Sequence, residues 1–258
     1  MKIPFTNLDG KKIYYQITKA DNQKAIIFIH GSGENSNIWT NQLSLEINYN
    51  LISLDLPSHN KSDIFPDLSL QLYVDAVNNM IDSLNLKSVI LAGHSLGGAV
   101  AQEYYFQHPQ KIIGLIFVGT GARLRVSPMI LNSLKNDFQS YLDSIPVGAF
   151  YRKTKEKIIE LFIEEITKTP PGVTYSDFSI CDNFDELERV KKGTIKVPSL
   201  ILVGKADKLT PIKYSRFFKD YINDSEMLVI DKAGHMIMTE KPLEVNKAIE
   251  EFITKRFE

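Results

Sequence analysis

The stretch SVILAGHSLGGAV, residues 88–100, drives an aliphatic run straight into glycines, sets one serine between them and resumes with alanine and valine. An unbroken apolar run of strand length suits a strand covered on both faces. The glycines two before and two after Ser95 permit a crowded turn, because neither carries a Cβ to clash. Strand, sharp turn and helix in that order are the setting in which a serine Oγ stands exposed at a helix start. The alternative is that Ser95 only caps the helix in a tight loop.

The rest of the chain repeats the rhythm. After the Asp9-Gly10 turn, Lys11 to Ile17 reads as a strand, paired as a hairpin with Lys2 to Thr6. Buried strands follow at Ala25 to Ile29, Leu51 to Leu54, within KIIGLIFVGTG, at Ser199 to Val203 and at Met227 to Ile230. Helices are predicted at Ser69 to Ser83 (with Leu72, Ala76, Met80 and Leu84 on one stripe), Leu96 to Gln107, Ile212 to Tyr221 and Pro242 to about Phe257. This alternation specifies an α/β fold, a mostly parallel sheet with helices on both faces. Residues 121–196 break the rhythm. They carry predicted helices at Pro128 to Leu142 and Lys153 to Ile166 around the turn-rich KTPPGVTYSD, and read as a helical insertion. The expected organisation is a core of 1–120 and 197–258 interrupted by a cap of 121–196. A loop leaving the carboxyl end of a central strand is where open α/β sheets place ligands.

The 258 residues hold 30 basic and 31 acidic side chains, so no bulk cationic field favours nucleic acid. Cys181 has no second cysteine for an intrachain disulfide, and the first residues lack the apolar core of a secretory signal. No apolar run approaches a membrane span. A cytoplasmic protein acting on a small molecule is expected.

An alcohol is a weak nucleophile near neutral pH, so Ser95 needs a base. Of five histidines, His94 adjoins the serine but points elsewhere on the turn. His108 reads as a solvated helix-end residue, His30 as a strand-end residue positioning backbone, and His59 as lining a site or stabilising a loop. His235 follows the last predicted strand in a loop with Gly234, from which an imidazole reaches the carboxyl ends of the strands. Asp207, beyond the penultimate strand, is the favoured acid to orient it, and Asp231 is the rival. His30, Asp55 and His59 lack the spacing of metal ligands, and GSGENSN lacks the lysine and serine of a phosphate loop. No metal or cofactor is expected.

His30-Gly31-Ser32-Gly33, Asp55-Leu56-Pro57, Gly93-His94-Ser95-Leu96-Gly97-Gly98, Asp207 and Gly234-His235 together resemble the α/β-hydrolase superfamily over nearly the whole length, in the chain order Ser, Asp, His. The resemblance implies a helical cap and an oxyanion hole formed by the backbone N–H groups of Ser32 and Leu96. Two departures stand out: a small polar Ser32 where many relatives carry a bulky apolar residue, and Pro57-Ser58-His59-Asn60-Lys61-Ser62 where they often read PGHGxS. Ser95 argues against the aspartate-dependent dehalogenases and epoxide hydrolases. The expected activity is hydrolysis of small or medium, apolar carboxylic esters through an acyl-enzyme. C–C bond hydrolysis, lactone hydrolysis or a non-catalytic receptor are the alternatives. Phe138, Tyr141, Phe150, Tyr151, Phe162, Tyr175 and Phe178 are candidates for the pocket; Arg123 and Arg125 stand at the entrance to the insertion, where the expected role is a solvated surface one and the alternative is contact with a substrate carboxylate.

Overall fold

Period-two alternation inside continuous aliphatic strands gives each central strand two buried faces. In the computed structural model, which describes residues 4–18 and 23–258, Ile27, Ile29, Leu91, Leu115 and Phe117 point to one side. Ile26, Phe28, Ile90, Ile116 and Leu202 point to the other. The strands are β1 (Phe5–Leu8), β2 (Lys11–Thr18), β3 (Lys24–Ile29), β4 (Asn50–Leu54), β5 (Ser88–His94), β6 (Ile112–Val118), β7 (Ser199–Gly204) and β8 (Ser225–Ile230). They form one sheet in the order β1-β2-β4-β3-β5-β6-β7-β8. β1 and β2 run antiparallel to their neighbours and β3 through β8 are parallel. The hairpin strand expected at Lys2 to Thr6 falls at Phe5–Leu8; Lys2 and Ile3 lie outside the described residues.

The helices are α1 (Leu70–Ser83), α2 (Leu96–Gln107), α3 (Pro128–Asn136), α4 (Phe138–Gly148), α5 (Glu156–Ile166), α6 (Pro171–Asn183), α7 (Leu187–Lys191), α8 (Ile212–Tyr221), α9 (Ile237–Glu240) and α10 (Pro242–Phe257). Ser69 caps α1 by accepting the Leu72 N–H at 3.1 Å, worth about 1 kcal/mol. Of the stripe expected on α1, Ala76 and Met80 are fully buried, while Leu72 and Leu84 are only partly so; Tyr73 and Val77 are fully buried as well. α1, α2 and α8 contribute to the apolar cluster on one face of the sheet, and α10 to that on the other.

Helices α3 to α7 occupy the chain between β6 and β7. The single helix expected at Pro128 to Leu142 is two, because Asp137 leaves helical backbone (φ −153°) and caps α4, its carboxylate accepting the Ser140 N–H at 3.1 Å and Oγ at 2.8 Å. The break expected at KTPPGVTYSD is confined to its first residues: α5 ends at Ile166, and α6 begins at Pro171, which takes the first helical position, where a missing N–H costs nothing.

The carboxyl ends of five parallel strands lie along one edge of the sheet. His30 follows β3, Asp55 follows β4, Ser95 follows β5, Asp207 lies three residues beyond β7, and His235 five beyond β8. Among the described residues no helix is long and apolar enough to cross a membrane.

Candidate active site

Ser95 sits between β5 and α2 at φ 50°, ψ −114°, a left-handed backbone that costs a non-glycine residue of order 1–3 kcal/mol. The surroundings over-determine it. The Ser95 N–H donates to Val118 O at 3.1 Å, and its carbonyl accepts the Gly98 N–H at 2.9 Å and the Thr120 hydroxyl at 2.8 Å. The flanking glycines have a packing reason: a Cβ on Gly93 would lie 2.2 Å from the Gly97 carbonyl oxygen, and one on Gly97 would lie 2.2 Å from the Ile29 oxygen. Because those neighbours are backbone, nothing flexible can yield. Gly97→Ala is expected to lower stability by about 3 kcal/mol, read as a lower denaturation midpoint with an unchanged m-value.

Asp207 and His235 come together as the sequence suggests. His235 Nδ1–H donates to Asp207 Oδ2 at 2.8 Å. The same carboxylate accepts the Leu209 and Thr210 N–H groups, each at 2.9 Å on Oδ1, and the Thr210 hydroxyl at 2.8 Å on Oδ2. Both side chains are buried. Burial pushes the Asp207 carboxyl up, but the His235 imidazole and the Thr210 donors outweigh it and hold it below its ordinary value. Burial likewise pushes His235 down, yet Asp207, helped by Glu34 and Glu240, leaves it raised above 6.5. With Nδ1–H committed to Asp207, Nε2 carries the lone pair a base needs. The rival Asp231 is surface-exposed and pairs with Lys205 at 2.8 Å.

The other histidines serve the scaffold. His30 bridges backbone, with its ring against Gly31 O (2.8 Å) and the Leu56 N–H (3.0 Å); burial pushes it down to about 3, so it stays neutral. His94 lies behind His235, ring centroids 4.5 Å apart, with Nδ1 3.0 Å from Glu34 Oε2 and Nε2 3.2 Å from His235 O. His108 packs against Tyr104 with the rings tilted, centroids 5.0 Å apart. His59 is fully buried against Asp177 of α6. Asp55 accepts the Ser36 N–H at 2.7 Å and organises the Ser58–Ser62 turn through Asn60 and the Lys61 N–H. In that turn Ser58 (φ 70°) and Asn60 (φ 44°) adopt left-handed backbone without glycine. Ser58 Oγ accepts the Phe65 N–H at 2.9 Å and Asn60 donates to Asp55 at 3.0 Å, bonds that offset the strain.

Ser95, His235, Ser32 and Glu34 line one cavity of about 500 Å³. Ser95 and His235 are not hydrogen-bonded to one another; such bonds often close only in the substrate complex. Among the described residues neither the Ser32 nor the Leu96 N–H meets an acceptor. Ser32 lines the cavity directly, whereas Leu96 is buried beside Ser95. The remaining lining is mostly apolar, including Leu124, Val126, Ile130, Ile145 and Met236. Of the aromatic candidates, Tyr141, Phe162 and Phe178 reach it; Phe138, Phe150, Tyr151 and Tyr175 pack elsewhere. Arg125 lines the cavity and Arg123 does not, although both pair with Asp185. Sequence reasoning missed Glu34 and Thr210. Each is close to a recognised residue, so the loops HGSGEN and ADKLT held the only signal.

The family model described as the alpha/beta hydrolase fold matches residues 24–242. The chain belongs to the α/β hydrolase family. Among curated proteins, this α/β hydrolase is 25% identical to a 2-hydroxy-6-oxo-6-phenylhexa-2,4-dienoate hydrolase of Comamonas testosteroni, over 99% of this chain and 96% of the other. It is also 25% identical to 3-oxoadipate enol-lactonase 1 of Acinetobacter baylyi, over 93% and 92%. A solved structure of a thermophilic esterase superposes with a TM-score of 0.89 and 37% identity, covering 98% of each chain. The eight-stranded, mostly parallel sheet of this hydrolase agrees with those likenesses.

Proposed function

We propose that this α/β hydrolase cleaves neutral carboxylic esters of small or medium size through an acyl-enzyme formed on Ser95. The observation that carries the reading is a single apolar cavity holding a serine on a strained strand-to-helix turn and a histidine already paired with a buried aspartate. A cavity of about 500 Å³ suits such an ester. The 37% identical solved structure is that of a thermophilic esterase, which supports the same reading.

In this mechanism His235 Nε2 takes the Ser95 proton as Oγ attacks the ester carbonyl. Asp207 holds the ring and stabilises the imidazolium. The Ser32 and Leu96 N–H groups receive the oxyanion, each donor worth about 3 kcal/mol in the transition state. His235 passes the proton to the departing alcohol, then activates water to release the acid. Helices α3 to α6 act as a cap: their apolar side chains hold the acyl or alcohol group against the turn.

The test is peptide mapping after fluorophosphonate labelling, followed by rates on methyl esters of graded acyl length. Labelling of Ser95 with measurable ester turnover is expected. A label on any other residue would end the assignment. Labelled Ser95 with cleavage of a vinylogous diketone or an enol-lactone, and no ester turnover, would move the activity to that of the curated relatives.

A further inference from the structure

We infer that Asp177, a buried carboxylate of helix α6, is a positioning residue that sets the oxyanion hole from the inserted helices. The inference rests on the reading of the Ser32 N–H as an oxyanion donor.

The loop Gly31–Glu34 distributes its N–H groups unequally. Gly31 N–H donates to Glu34 Oε2 at 2.6 Å, Gly33 N–H to Asp177 Oδ2 at 2.8 Å, and Glu34 N–H to Gly31 O at 3.3 Å. Only the Ser32 N–H is left without an acceptor among the described residues. A carboxylate therefore grips the backbone on each side of the one donor left free. Glu34 belongs to the loop itself; Asp177 lies 144 residues away and belongs to the insertion.

Asp177 is fully buried, and a buried charge is tolerated only when its oxygens are satisfied. Oδ2 also accepts His59 Nε2–H at 2.8 Å, and Oδ1 accepts the Tyr73 hydroxyl at 2.5 Å. His59 Nδ1 in turn lies 3.0 Å from the Pro57 carbonyl oxygen, so the ring is held between the loop after β4 and Asp177. One turn on along α6, Cys181 Sγ lies 3.5 Å from Ser32 Oγ. Thr174, one turn earlier, packs against Gly33 so closely that a Cβ there would meet its methyl at 2.7 Å. One face of α6 thus contacts the donor residue and its neighbour, while Asp177 ties both to α1 through Tyr73 and to the loop after β4 through His59.

The test compares O-methyl butanoate with O-methyl thionobutanoate, since a thiocarbonyl sulfur accepts hydrogen bonds weakly and draws little on the oxyanion hole. Asp177→Asn keeps the size but turns one acceptor into a donor. It is expected to lower the oxo-to-thiono ratio of kcat/KM by about tenfold. Tyr73→Phe, which leaves the Gly33 bond in place, should lower the ratio in the same direction by less, and it decides the matter should Asp177→Asn fail to fold. A purely structural role would depress both substrates together, and a ratio unchanged in the variants that fold overturns the assignment. Ser95→Ala separates the two readings. If it still turns over ester, the acyl-enzyme reading fails; if it is inactive while the ratio is unchanged, only the role of Asp177 fails.

Discussion

Ser95→Ala is expected to lower kcat by about a millionfold, with the residual rate over water supplied by the oxyanion donors and binding alone. The turn gives this prediction a second readout. Alanine keeps the Cβ, so the φ of 50° and its strain remain, together with the bonds from the Ser95 backbone to Val118, Gly98 and Thr120. The loss should therefore come without a change in melting temperature. Ser95→Gly should be equally inactive but more stable by about 1 kcal/mol or more, because glycine occupies that backbone without cost. Thermal melts of the three proteins beside their ester rates check both halves. A Ser95→Gly protein no more stable than the parent would mean that the turn stores no strain.

The crowded turn, though not its strain, was legible in the sequence because its requirements are local. Gly93 and Gly97 flank the serine within five residues, and an aliphatic strand and a small-residue helix bracket them. The positions of Asp207 and His235 were legible for a similar reason: each follows a recognisable strand, and parallel strands deliver their carboxyl ends to one edge. Local pattern failed where polar side chains decide. Asp137 ends one helix and begins another in the middle of an apolar periodicity that runs through both. The Asp177 cluster joins Gly33, His59, Tyr73 and α6 across separations of 104 to 144 residues, and such pairing has no period to read. The turn at Ser58 and Asn60 is the reverse case. Both residues hold left-handed backbone without being glycine, because Phe65 and Asp55 supply the bonds that make it tolerable.

Asp207→Asn is expected to cost about 10⁴-fold in kcat, since the amide loses the charge that stabilises the imidazolium and favours the wrong tautomer. The pH dependence distinguishes this from general damage. In the parent, His235 must be unprotonated to accept the Ser95 proton, and its folded pKa is raised above 6.5 chiefly by Asp207 acting against burial. Activity in kcat/KM therefore falls as pH drops through that raised value, and the acid limb lies above pH 6.5. Removing the Asp207 charge leaves burial pushing His235 down, opposed only by Glu34 and Glu240. The acid limb of Asp207→Asn should move to lower pH even as the plateau collapses, so the variant loses a smaller fraction of its activity on acidification than the parent does. Glu34→Gln removes a lesser contributor and should shift the limb the same way by less. A limb that stays fixed in Asp207→Asn would mean that the histidine controlling the rate is not the one bonded to this carboxylate.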